Sequence, residues 1–209
     1  MIIVWYFVAS FLAFIIFGAQ IIVSNTFEKI KVQSKLTQYI SQILSLVAFL
    51  VMYKVSSVKI PVLNLTGVIS IKSVTLLIIT VIVTAFIVSS CKKERHNLFE
   101  WFIGGVLMEI PQRLFMQTFF MIVLSGVENG YYIAILLNAI LWVQFIILQE
   151  IISGSKINRV VIMDSISSAF FSIGVGLLYV QTGCILMTML AHGLERIVSV
   201  KMGEYRGNI

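Results

Sequence analysis

Charged residues are costly inside an apolar chain, and this sequence places several of them there at helical spacing. In the run LFEWFIGGVLMEIPQRLFMQTFFMIVLSG, Glu109 and Arg113 stand four residues apart with Pro111 between them. Four residues make about one helical turn, so carboxylate and guanidinium share a face. In TMLAHGLERIV, His192, Glu195 and Arg196 stand at i, i+3 and i+4, which again is one face. Asn138 is the one amide deep in a third apolar run, followed at helical spacing by Trp142, Phe145 and Gln149. Together these types suit peptide hydrolysis without a metal. A glutamate facing a histidine in a wet cavity can take a proton from water, while the histidine orients that water or stabilises the oxyanion formed when it attacks a carbonyl. Glu109 (general base), His192 and Asn138 (a candidate oxyanion donor) are therefore the candidate catalytic residues. Arg113, Glu195 and Arg196 are candidate supporting groups or contacts to a substrate carboxylate.

No metal and no other cofactor is expected. A zinc site takes three protein ligands, commonly from HExxH or from clustered His and Cys. The only other histidine, His96, lies in a loop beside Lys92, Lys93 and Arg95, and Cys91 and Cys184 are far apart in the chain. Asp164, at the start of another apolar run, is a weaker candidate because capping competes there. A purely structural reading of the same residues stays open. Glu109–Arg113 and Glu195–Arg196 would then be ion pairs holding a bundle together, His192 a satisfied core histidine, and Asn138 a bond to a neighbouring helix.

The elements that must position these groups follow from composition. Of 209 residues, 59% are hydrophobic and 11% charged, with two prolines, and the mean hydropathy is +1.03. Such a chain can bury its apolar surface only against lipid, in spanning helices. A cytosolic enzyme, a nucleic-acid reader and a disordered tail are excluded. Spans of roughly 20 apolar residues are read at 2–24, 37–53, 73–90, 98–125, 131–149, 160–181 and 184–201. The expected fold is an all-α, polytopic integral membrane bundle of about seven spans in a single transmembrane domain, 1–209. It has eight helical pieces if span four breaks at Pro111, whose missing N–H and ring disfavour helix beside the charged pair. Segment 59–72 is too short and interrupted to cross and is read as a loop or interfacial piece. Ser165, Ser168, Ser172 and Gly176 give span six a face for close helix approach. Span one is expected to be retained, since no Lys or Arg precedes it and no cleavage site follows.

Lysine and arginine fix the expected orientation. Lys29, Lys31, Lys35, Lys92, Lys93, Arg95, Lys156, Arg159, Lys201 and Arg206 fall on one side, which the positive-inside rule makes cytoplasmic, with the N-terminus outside. Lys54, Lys59 and Lys72 are the discordant group. The net charge of +6 is thus largely topology, and no nucleic-acid partner is expected. Membrane lipid and a peptide or protein substrate are the expected partners. The lack of any organellar transit segment leans toward a bacterial plasma membrane. No internal repeat or pair of broken helices points to a transporter.

Over about residues 98–200 the sequence resembles the CPBP intramembrane endopeptidase family, which includes the type II CAAX prenyl endopeptidases and the bacteriocin-processing and Abi proteins. The family pattern is EExxxR in one span, FxxxH in a later one and HxxxN or HxxxD in the last core span. Met108-Glu109-Ile110-Pro111-Gln112-Arg113 matches the second glutamate and the arginine of the first motif, with Met108 in place of the first glutamate. His192 matches the last histidine, with Arg196 in place of Asn or Asp. The stretch FFSIGVGLLYVQTGCILMTMLAHGLERI carries the similarity furthest, and span five has no histidine, Asn138 or Trp142 standing in that region. The resemblance implies a glutamic-type endopeptidase that hydrolyses a peptide bond of a small peptide precursor or a membrane-proximal protein terminus, with a precursor or peptide exporter as partner. The departures leave open a catalytically lapsed member, acting as a bacteriocin immunity or accessory membrane protein that binds a peptide or partner.

Overall fold

The computed structural model describes residues 2–29, 39–67, 70–88, 97–152, 154 and 156–207. Lys31, Lys35, Cys91, Lys92, Lys93, Arg95 and His96 lie outside the described residues. Among the described residues the secondary structure is helical and no strand forms: α1 (Ile2–Lys29), α2 (Ile40–Val55), α3 (Ile71–Val88), α4 (Leu98–Glu109), a π-helical segment (Ile110–Gln117), α5 (Thr118–Val123), α6 (Gly130–Ile152), α7 (Arg159–Thr182) and α8 (Ile185–Gly207). Five helical stretches are long and apolar enough to cross a membrane: α1, α3, the run Leu98–Val123, α6 and α7. The expected second span is apolar but only 16 residues long as α2. The expected seventh is the more polar α8, with His192, Glu195, Arg196 and Lys201 along it.

Span four does not break. Ile110 donates its backbone N–H to Leu107, and the chain then widens into π geometry, with the Thr118 N–H reaching back to the Arg113 carbonyl. Pro111 supplies no N–H at the start of this segment, and the wider i→i+5 turn absorbs the mismatch without a break. The Thr118 hydroxyl also donates to the Arg113 carbonyl, at 3.1 Å. Every residue from Pro111 to Gln117 is buried, so this segment is the centre of the bundle.

The other helices surround it. α4 runs along α8, α6 along α7, and α3 packs against both α7 and α8, while α2 and α6 lie on the π segment. Ser41, Ser45 and Phe49 form the buried side of α2, two small residues at helical spacing that admit close approach. The small residues of α7 serve two neighbours. Ser167 donates to the Thr84 carbonyl of α3 at 3.1 Å, whereas Ser172 and Gly176 meet the π segment, with Ile135 of α6 also against Gly176. α1 is the least covered of the five long apolar helices, with 17% of Ile2–Ala19 buried.

Turns lock the ends. Asn158 caps α7 by accepting from the Val160 and Val161 N–H groups, so capping falls to Asn158 and not to Asp164, which is half-buried. α7 ends at Gly183 in the left-handed region, φ 62°, where a side chain would also strike Pro61. Of the expected loop segment 59–72, residues 59–67 are a loop with one 3₁₀ turn at Leu65–Gly67, whereas Ile71 and Lys72 already begin α3. The loop pairs with the α7–α8 turn, Asn64 donating to the Gly183 carbonyl and Ile185 to that of Val62. Lys59 bonds the Tyr53 carbonyl at the C-terminal end of α2 and lies over the Tyr53 ring. With Lys54 in the last turn of the same helix, two of the three discordant lysines have a local reason, since a helix C-terminus attracts cations.

Candidate functional site

α4 and α8 pack antiparallel and very closely, because each offers a glycine where the other offers bulk. A methyl on Gly105 would sit 2.9 Å from Arg196 Cγ and 3.0 Å from the His192 carbonyl oxygen. On α8, Gly193 receives the ring of Phe102. One turn beyond Gly105, at the last residue of α4, Glu109 meets the other helix.

There Glu109 Oε1 lies 2.7 Å from His192 Nδ1, a short charge-assisted hydrogen bond. Glu109 Oε2 lies 3.5 Å from Arg113 Nε, an ion pair within one helical turn, and it accepts no hydrogen bond from the described residues. Glu109 and Arg113 are wholly buried and His192 is 4% exposed. The imidazole packs on Phe171 of α7, with ring centroids 4.6 Å apart. Arg113 in turn donates to the Ser172 hydroxyl at 3.1 Å.

The π segment extends this polar line across the face of α7. Gln117 donates to the Gly176 carbonyl at 3.1 Å. Thr118 and Tyr179 hydroxyls are 3.1 Å apart, and because the Thr118 proton goes to the Arg113 carbonyl, Tyr179 is the donor to Thr118. Arg113, Gln117 and Thr118 each meet a partner on α7, and between packed helices such bonds fix rotation as well as spacing.

Three of the six expected site residues, Glu109, Arg113 and His192, therefore come together. Glu195 and Arg196 lie about a turn further along α8, paired at 4.0 Å, with the Arg196 guanidinium 4.4 Å from the centroid of the Trp101 ring. Asn138 is wholly buried on α6, the helix that packs on α7 and on the π segment. The rest of its expected helical stripe faces elsewhere: Trp142 and Phe145 lie against Phe17 of α1, at 5.4 and 5.5 Å. Ser172, Gln117, Thr118 and Tyr179 escaped the sequence reading as functional neighbours, as did the pairing of Gly105 with His192. The motif spacing of Gln117, four residues after Arg113, was the one available signal. Among the described residues no three His, Cys, Asp or Glu side chains gather as a metal site.

Compared with known protein families, curated proteins and solved structures, the chain matches none.

Proposed function

We propose that this chain is an integral membrane glutamic-type endopeptidase of CPBP character, in which Glu109 and His192 act as one unit on a peptide bond of a small precursor or a membrane-proximal terminus. The observation that carries the reading is the 2.7 Å contact between Glu109 and His192, contributed by separate helices and buried in the bundle. With Oε1 engaged by the imidazole, Oε2 is the carboxylate oxygen left to accept a proton from water. As the water oxygen bonds to the carbonyl carbon, the carbonyl electron pair moves onto its oxygen, and the imidazole stabilises that charge or holds the water. Collapse of the tetrahedral intermediate breaks the C–N bond, and the departing amine takes the proton back from Glu109. Arg113 supplies the countercharge that keeps the carboxylate oriented, and Ser172 orients Arg113. No step calls for a metal.

The same reading makes α2 and α8 spans, for seven in all, with the N-terminus outside and the C-terminus in the cytoplasm of a bacterial plasma membrane. The local role of Lys59 and Lys54 at the end of α2 supports it, because it removes most of the contrary charge.

The test is to replace Glu109 and His192 singly by Ala and to follow both abundance and cleavage of a membrane-anchored peptide library in proteoliposomes. Loss of cleavage in both variants at normal abundance, with wild-type cleavage unaffected by EDTA, is the expected result. Cleavage that persists in both would refute the assignment. A second reading, a non-catalytic peptide-binding or immunity protein, is favoured by the closure of the site, since Glu109 and Arg113 are wholly buried. It expects no cleavage by the wild-type chain and a fall in abundance in both variants.

A further inference from the structure

We infer that Arg196, Glu195 and Trp101 form a binding site for a phospholipid headgroup that carries a primary amine. This goes beyond the proposed peptidase chemistry and does not depend on it. The guanidinium of Arg196 is laid against the Trp101 ring, 4.4 Å from its centroid, which fixes the plane of its donor fork. Its Nε stands 4.0 Å from Glu195 Oε2, and the two side chains are 27% and 9% exposed. At that separation the charges attract without a hydrogen bond. Arg196 Nε is itself buried and has no hydrogen-bond partner, so a headgroup would reach the guanidinium through its terminal nitrogens. Among the described residues the guanidinium meets the Trp101 ring and forms the loose pair with Glu195.

The depth of the pair points to lipid. Trp101 lies in the first turn or so of the run Leu98–Val123, whose 26 residues exceed the roughly 20 that hydrocarbon requires. Its neighbours Asn97 and Glu100 are exposed. That end of the helix therefore emerges at the headgroup layer, where tryptophan is favoured. On α8, Lys201 is exposed just over a turn beyond Arg196. The oxyanion abundant at this level is the lipid phosphate, and a guanidinium fork matches it. A simply anionic headgroup would set its charge against Glu195, a few ångströms away. A headgroup with both a phosphate and an ammonium satisfies both side chains, the phosphate on Arg196 and the ammonium N–H on Glu195. Choline cannot donate to the carboxylate, which gives the site its selectivity.

The full-length protein is reconstituted with equal amounts of phosphatidylethanolamine and phosphatidylcholine of identical acyl chains, and retained lipid is quantified by native mass spectrometry. The expected result is retention of the ethanolamine lipid over the choline lipid by about tenfold, the scale of one hydrogen bond between charged groups. Glu195→Gln should lose this preference while still retaining phospholipid, and Arg196→Leu should lose the retained phospholipid itself. Equal retention of the two lipids by the wild-type protein overturns the proposal, and that arm needs no variant to fold. So does a preference for phosphatidylglycerol when it replaces the choline lipid, which would mark a simple anion site.

Discussion

Gly105→Ala puts one methyl into the closest approach of α4 and α8, and its effect follows from the distances. The new carbon would stand 2.9 Å from Arg196 Cγ and 3.0 Å from the His192 carbonyl oxygen. Relief to ordinary contact near 3.5 Å requires the helices to part by roughly 0.5 Å. Glu109 is one turn along the same helix, so its 2.7 Å contact with His192 would lengthen toward about 3.2 Å, the edge of useful hydrogen-bond length. Overpacking of this kind costs about 1–3 kcal/mol, offset by about 1 kcal/mol from the better helix propensity of alanine. Gly104→Ala is the internal control, because a methyl there meets nothing within 4 Å and gains the propensity alone. The two variants should therefore differ by about 1–3 kcal/mol, and at about 2–4 °C per kcal/mol for a chain of this size Gly105→Ala should melt several degrees below Gly104→Ala in the same detergent. If the chain cleaves peptides, Gly105→Ala should also lose roughly tenfold in rate, since misplacement by 1 Å can cost 10²-fold. Equal melting of the two variants would refute the close packing of α4 on α8, and with it the geometry that joins Glu109 to His192.

Thr118→Val should destabilise by about 1–2 kcal/mol, because it removes the hydroxyl that closes on the Arg113 carbonyl and strands the buried Tyr179 hydroxyl. Adding Tyr179→Phe should cost less in that background than in the wild type, and additive melting shifts in a double-mutant cycle would argue against the bond. Arg113→Met should lower abundance and melting by about 3–5 kcal/mol, since it leaves a buried carboxylate without its countercharge. Glu109→Gln in the same chain should restore part of that loss, and a failure to do so would mean that Arg113 matters by its packing alone.

What could be read from the sequence was set by cost. Long uncharged runs have one inexpensive solution, a helix in lipid, and so 160–181 and 131–149 foreshadow α7 and α6 to within a few residues. Ionisable groups in such runs need partners, and so Glu109, Arg113 and His192 stood out and do meet. Which helix meets which was not legible, because in a chain this apolar nearly every helical face is hydrophobic and periodicity does not mark the buried one. The stripe through Asn138, Trp142 and Phe145 had the right spacing, yet its aromatic members lie on Phe17 of α1. Pro111 announced a disturbance but not its form. Whether the backbone broke or widened depended on Thr118, seven residues on, reaching the Arg113 carbonyl with both its N–H and its hydroxyl. The decisive small residues were likewise invisible as a pattern. Gly105 and Gly193 stand on two different helices and act only on each other's neighbours, so no single-helix motif contains them. Tertiary complementarity of this kind is a relation between two faces, so the polar exceptions are marked within one helix whereas the packing that brings them together is written across two.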